Sequence, residues 1–230
     1  MSPSIRVSSA PLSLGKNTES QVYLLLAVAM ALTVVGVYVG ISFASLLLST
    51  GLHVFFLIAE LVIIFTARFW IEKSPLNYVL FGLFPALSGF TLTPYILYVL
   101  AGYTNGAVIL VNALATTACM TAAAAVFART TSWNLGVMGR ALFFAIIGLI
   151  IMGLLQLFIP ALRSTQAELF ISGAGIVIFA LFTAFDLQRI MQMGKMGVNP
   201  FLMALSLYLD IFNLFLYILR FMTVMYGKRR

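Results

Sequence analysis

Met203-Ala204-Leu205-Ser206-Leu207-Tyr208-Leu209-Asp210-Ile211-Phe212-Asn213-Leu214-Phe215 places one carboxylate inside an apolar run that extends over residues 200–226. A run of this length spans a hydrocarbon core, which takes about 20 apolar residues. Asp210 stands about ten residues into it, roughly 15 Å at 1.5 Å per residue. Its stem is too short to reach either surface, and a charge at that depth costs at least a few kcal/mol. The stretch therefore reads as a membrane helix that turns its acid toward the interior of a helix bundle. Ser206 and Asn213, at i−4 and i+3, share that face.

The rest of the chain agrees. Of 230 residues, 63% are hydrophobic and only 8% are charged, with a mean hydropathy of +1.11. Soluble domains carry about 25% charged residues, so this chain lacks the polar surface to cover a water-soluble globule. Seven runs are long enough to cross a bilayer, at roughly 22–41, 46–70, 76–101, 105–128, 137–159, 168–190 and 200–226. They predict an all-α membrane protein of seven transmembrane helices. Residues 1–21 read as a short cytoplasmic tail, 22–226 as the membrane domain and 227–230 as a basic tail.

Basic residues set the orientation. With the N-terminus inside, Arg6, Lys16, Arg68, Lys73, Arg129, Arg140, Arg189 and Lys195 face inward, against Arg163, Lys228, Arg229 and Arg230 outside. The balance favours a cytoplasmic N-terminus; the basic C-terminal tail dissents, and a re-entrant last segment would bring it inside. The net charge of +7 fits loops beside an anionic leaflet, so the lipid bilayer, not nucleic acid, is the expected partner. One cysteine and one histidine exclude an intrachain disulfide and a multi-histidine metal centre. No resident cofactor and no enzymatic activity are expected. Small residues of the fourth span, Ala113, Ala115 and Ala122 to Ala125, favour close helix approach. Pro85 and Pro94 should kink the third.

The ionisable residues inside the spans carry the functional information. Asp186 closes the sixth span, with Arg189 at i+3. Its structural alternative is an interfacial ion pair; that of Asp210 is a hydrogen-bonded packing role. The sixth and seventh spans are antiparallel neighbours joined by a tight loop, and the two aspartates lie at similar distances from it. They can meet. Two carboxylates in contact where water is scarce do not both ionise; they share a proton. Such a pair is bridged at lower pH and repelling at higher pH, and once opened it offers oxygens to a hard cation such as Ca²⁺. Glu60 in the second span and Arg220 in the seventh are expected partners across the bundle, in a structural or a gating role.

Four segments carry a resemblance to a known family. They are Ser88-Gly89-Phe90-Thr91-Leu92-Thr93-Pro94, Phe185-Asp186-Leu187-Gln188, the stretch Ala204 to Phe215, and Leu219-Arg220-Phe221. In order and spacing they resemble the Bax inhibitor-1 family, also called the transmembrane Bax inhibitor motif family, and the short termini resemble those of a bacterial member. The resemblance implies a last helix enclosed by the other six, and a location in the bacterial inner (plasma) membrane. It also implies a pH-sensitive calcium leak gated by Asp186 and Asp210, with Ca²⁺ as the transported ion in transient contact with both. Glu60 and Arg220 fall on charged positions of the family. Bacterial relatives with such a leak carry an arginine near the inner end of the second span that latches onto the aspartates. By ungapped reading this position is Ile71, which leaves Arg68 or Lys73 to take its part, with Arg189 a third candidate. Some relatives resemble a regulator that binds a membrane-bound AAA protease, which gives a non-conducting alternative. An intramembrane aspartyl protease is a remote one, because Leu207 and Leu209 replace the glycines beside the second aspartate of such enzymes.

Overall fold

The computed structural model describes residues 18–193 and 198–229. The expected tail up to residue 17, with Arg6 and Lys16, lies outside the described residues, as do Lys195 and Arg230. Nine α-helices follow in order among the described residues. They are α1 (Thr18–Ser42), α2 (Ala44–Thr50), α3 (Leu52–Phe65), α4 (Ala67–Trp70), α5 (Leu76–Gly102), α6 (Gly106–Thr130), α7 (Gly139–Phe158), α8 (Thr165–Met193) and α9 (Pro200–Tyr226). Short 3-10 turns lie before and after α7, at Leu135–Met138 and Pro160–Arg163. Six of these helical stretches are long and apolar enough to cross a membrane, and the bent pair α2–α3 makes a seventh when it is counted as one span. This is an all-α membrane protein.

The second span is not the straight helix expected over 46–70. It breaks at Gly51, and α2 meets α3 at 90°. Gly51 has φ +66°, a left-handed conformation in which a side chain is strained. The flanking polar groups hold the corner. The Thr50 hydroxyl donates to the Leu46 carbonyl at 2.7 Å and accepts from the Leu52 amide at 3.3 Å. His53 Nδ1 lies 3.2 Å from the Leu47 carbonyl across the bend. A second break follows at Thr66, whose hydroxyl returns to the Val62 carbonyl at 2.6 Å. Helix α1 also begins earlier than expected, at Thr18, so the last residues of the predicted tail are helical.

Helix α9 is the most enclosed element. Its buried residues include Met203, Ala204, Leu205, Leu207, Tyr208 and Asp210, which cover most of its circumference; a surface helix would bury one stripe. Helices α1, α5, α6 and α8 pack on it directly, whereas α3 leans on α5 and α7 leans on α8. The last helix is therefore central, but four helices line it and the other two form an outer layer. Two apolar clusters stack along it. One surrounds Phe84, Phe201 and Tyr208; the other surrounds Leu92, Leu214 and Ile218. The outward surfaces stay apolar, as at Val34, Phe144 and Phe170, which suits hydrocarbon as solvent.

Helices α1 and α5 approach each other through glycines. A Cβ on Gly36 would stand 2.0 Å from the Ala86 carbonyl oxygen, and one on Gly89 would stand 2.0 Å from that of Thr33. Reciprocal glycines thus let the two helices touch, the small-residue packing of membrane bundles. Helix α5 runs unbroken past Pro85 and Pro94.

The two ends of the bundle can be told apart by their contacts. At one end, Arg129 at the close of α6 bonds Glu19 at the start of α1 at 3.2 Å. The Asn199 amide there donates to the Ile71 carbonyl at 3.0 Å, just before α9 begins. At the other end, the residues after α9 are tied to the α5–α6 turn. The Thr104 amide donates to the Lys228 carbonyl at 2.9 Å, and the Lys228 amide donates to Asn105 Oδ1 at 3.0 Å. Helix α9 therefore crosses the whole bundle, and the C-terminal segment sits at the opposite end from the start of α1. A re-entrant last segment is ruled out by these contacts.

Candidate functional site

Asp186 and Asp210 meet. Asp186 lies about two turns before the end of α8, Asp210 in the middle third of α9, and the antiparallel packing of the two helices brings the carboxyls to side-chain hydrogen-bonding approach. Both are buried, at 3% and 5% exposure. Ser206, one turn before Asp210, has its hydroxyl beside Asp186. Asn213, expected on the same face, turns back instead and donates to the Leu209 carbonyl at 2.8 Å. Oδ2 of each aspartate is buried and accepts no hydrogen bond. A buried charged oxygen without a donor is costly. One proton held between the two carboxyls would provide the missing donor.

The basic residue beside the pair is Arg189, with Nη1 4.0 Å from Asp186 Oδ1. Arg68 is exposed and stacks on the neighbouring Phe69 ring, 4.8 Å from its centroid. Lys73 is exposed in the α4–α5 turn. Neither is among the groups that act on either aspartate, so of the three latch candidates only Arg189 is in place. Ile71, at the position where relatives carry arginine, is buried, and its carbonyl holds Asn199 at the head of α9.

The expected pairing of Glu60 with Arg220 is not formed. Each has found a nearer partner. Glu60, in the middle of α3, accepts from the Ser88 hydroxyl at 2.7 Å and from the Thr91 hydroxyl at 2.7 Å. Both donors belong to the Ser88–Pro94 motif of α5. The cluster reaches α9 through the Tyr208 hydroxyl, which interacts with Ser88 and lies 2.8 Å from Thr33 Oγ1 of α1. Tyr208 itself is fully buried.

Arg220 lies one helical turn and a half before the far end of α9, where the start of α8 and the end of α7 converge. Its Nε donates to Glu168 Oε2 at 2.5 Å, and Nη2 reaches both that oxygen and Gln156 Oε1, the latter at 2.8 Å. Gln156 Nε2 in turn donates to Glu168 Oε1 at 2.9 Å and to the Leu162 carbonyl at 2.8 Å. Arg163 Nε closes the network on the Gln156 carbonyl at 2.5 Å. Three helices and a connecting turn are thus fastened by one partly buried polar knot. Glu168 and Gln156 escaped the sequence reading because both sit at run ends, where polar residues are ordinary. Ser88 and Thr91 were legible in the motif, but only as part of it.

These features define a polytopic helical membrane protein built around one central helix that carries a buried carboxyl pair. Residues 16–227 match the family model described as Inhibitor of apoptosis-promoting Bax1, and the chain belongs to this Bax inhibitor-1 family. It is 35% identical over 201 residues to an uncharacterised protein of Campylobacter jejuni, covering 86% of this chain and 84% of that one. It is 31% identical over 186 residues to the inner membrane protein YbhL of Escherichia coli, covering 76% and 74%. The likeness extends to plants: Protein LIFEGUARD 3 of Arabidopsis thaliana is 29% identical over 201 residues, with coverage of 85% and 77%.

Proposed function

We propose that the protein is a calcium leak of the bacterial inner membrane, its N-terminus cytoplasmic, gated by proton sharing between Asp186 and Asp210. The observation that carries this reading is the pair itself: two buried carboxyls in contact, each with one oxygen lacking a donor. In the closed state a single proton bridges them and holds α8 to α9. Loss of that proton leaves two like charges in a poorly solvated site, and they separate. The closed state binds one proton more than the open one, so it gains stability as pH falls and loses it as pH rises. Arg189 opposes closure, because its charge favours the ionised form of Asp186.

Ca²⁺ takes six to eight oxygen ligands. Two aspartates and Ser206 offer too few for a resident site, and no cluster of three acids, histidines or cysteines occurs among the described residues. The pair suits a cation in passage that keeps most of its water. The test is Ca²⁺ flux into liposomes that contain only the purified protein. Flux that rises with pH is the expected result. A protein silent at every pH would favour the regulator that binds a membrane-bound AAA protease.

A further inference from the structure

Three contacts mark out the seam between α8 and α9. Asp186 meets Asp210 toward the near end, where α9 begins. Phe179 and Tyr217, each seven residues from its aspartate, stack with ring centroids 5.6 Å apart and planes 23° apart. Glu168 and Arg220 pair toward the far end. On α9 the positions Asp210, Asn213, Tyr217 and Arg220 follow the spacing i, i+3, i+7 and i+10, which is one helix face. At 1.5 Å per residue the tyrosine stands about 10 Å beyond its aspartate and the arginine about 15 Å.

The aromatic level is closed by shape. The Tyr217 ring lies on the bare backbone of Gly175, and a Cβ at that glycine would overlap the ring. Glycine is unfavourable inside a helix, so the close seat of the ring accounts for its place here. Phe179, against the same ring, is 7% exposed. The polar knot beyond is more open, with the side chains of Arg220 and Glu168 31% and 19% exposed. An apolar constriction excludes water, and with it an ion that carries water. Parting the aspartates therefore does not open the seam: a hydrated cation still meets a tyrosine ring closed onto a glycine.

We infer that Tyr217, seated on Gly175 and stacked on Phe179, is a second barrier in series with the aspartate pair, an apolar seal that a hydrated cation passes only when the ring leaves its seat. The inference rests on the reading of Asp186 and Asp210 as a gate between α8 and α9.

The experiment reads which face of the membrane reaches position 213, between the two barriers. Asn213→Cys is made in the full-length protein with Cys119→Ser, since Cys119 is the one native cysteine. A membrane-impermeant cationic thiol reagent is added to spheroplasts, which present the outer face, and to inverted vesicles, which present the inner one. At high pH, with the aspartates apart, the new thiol should react from the near face and stay protected from the far face. Tyr217→Ala should abolish the far-face protection, and Tyr217→Phe, which keeps the ring, should retain it. Should Tyr217→Ala fail to fold, Gly175→Ala unseats the ring from the other side and should also expose the thiol. Protection that survives removal of the ring would overturn the inference, as would far-face labelling with Tyr217 in place. Failure of the aspartate gate looks different: the thiol then stays protected from the near face at every pH, while Tyr217→Ala still exposes it from the far face.

Discussion

Arg220 of α9 is bonded to Glu168 of α8 through two nitrogens of its guanidinium, while Glu60 is held by two hydroxyls from α5. The interior of the bundle thus contains two separate charged sites where the sequence suggested one. Glu168 fastens the end of the bundle away from the aspartates; Glu60 fastens α3 to the middle of α5.

The separation is measurable. Glu168→Gln should lower stability by about 2 kcal/mol, between the small value of surface pairs and the 3–5 kcal/mol of fully buried ones, because both side chains are partly exposed. A double-mutant cycle on Glu168 and Arg220 should give a coupling of 1 kcal/mol or more. The same cycle on Glu60 and Arg220 should be additive to within about 0.5 kcal/mol. Thermal unfolding in detergent or lipid nanodiscs reads both. Strong coupling in the second cycle would contradict the arrangement described.

Ser88 donates to a buried carboxylate, and its loss strands that oxygen. Ser88→Ala is expected to destabilise by about 1–3 kcal/mol. In a Glu60→Gln background the penalty should shrink, because a neutral amide is cheaper to leave unpaired. Equal penalties in the two backgrounds would show that Ser88 acts by packing alone.

For the aspartates the expected signature is in the pH profile. Wild-type Ca²⁺ flux should rise with pH, since the proton is bound to the closed state. Asp186→Asn and Asp210→Asn should each flatten this dependence, and the double variant should match the singles, because one proton serves both groups. Arg189→Gln should shift the midpoint toward higher pH, because Asp186 loses the neighbour that favours its charge. Retention of the wild-type profile in both single Asn variants would end the proton-sharing reading.

The contact of α1 with α5 gives a test of the fold. Gly36→Ala places a methyl group 2.0 Å from a carbonyl oxygen, and nothing flexible can yield. A loss of at least 1–3 kcal/mol is expected, as for overpacked cores. Gly148→Ala, in α7 with no neighbouring atom within 4 Å, should be neutral or gain up to about 1 kcal/mol from helix propensity. The pair of variants compared by unfolding separates steric approach from a general intolerance to change.

Composition and run length made the membrane class and the crossings legible, because hydrocarbon leaves a helix as the only backbone solution for such runs. Asp186 and Asp210 were legible for the same reason: an acid at that depth needs a partner, and a tight loop between antiparallel spans limits the choice. The partners of Glu60 and Arg220 were not. Glu168 looks like a helix-end residue in the sequence, and only the packing of α8 against α9 carries it under the arginine. The Gly51 corner was equally hidden within a continuous apolar run, although Ser49-Thr50-Gly51 contains the hydroxyl and the glycine that make it. The reciprocal glycines that bring α1 against α5 were not singled out, because glycine is common in membrane spans and only the packing shows which ones face a neighbouring backbone.

The right angle at Gly51 also determines how the bundle sits in its lipid. If α3 stands upright, α2 lies flat, with Leu46 and Leu48 exposed and the hydroxyls of Ser49 and Thr50 turned back onto their own carbonyls. A short apolar helix in that posture is at rest only near the boundary between headgroups and chains. Raising it wets the leucines; sinking it buries the backbone ends around the corner. In that posture helix α2 would act as an outrigger that sets the draught of the protein, and with it the depth of Glu60, nine residues beyond the corner.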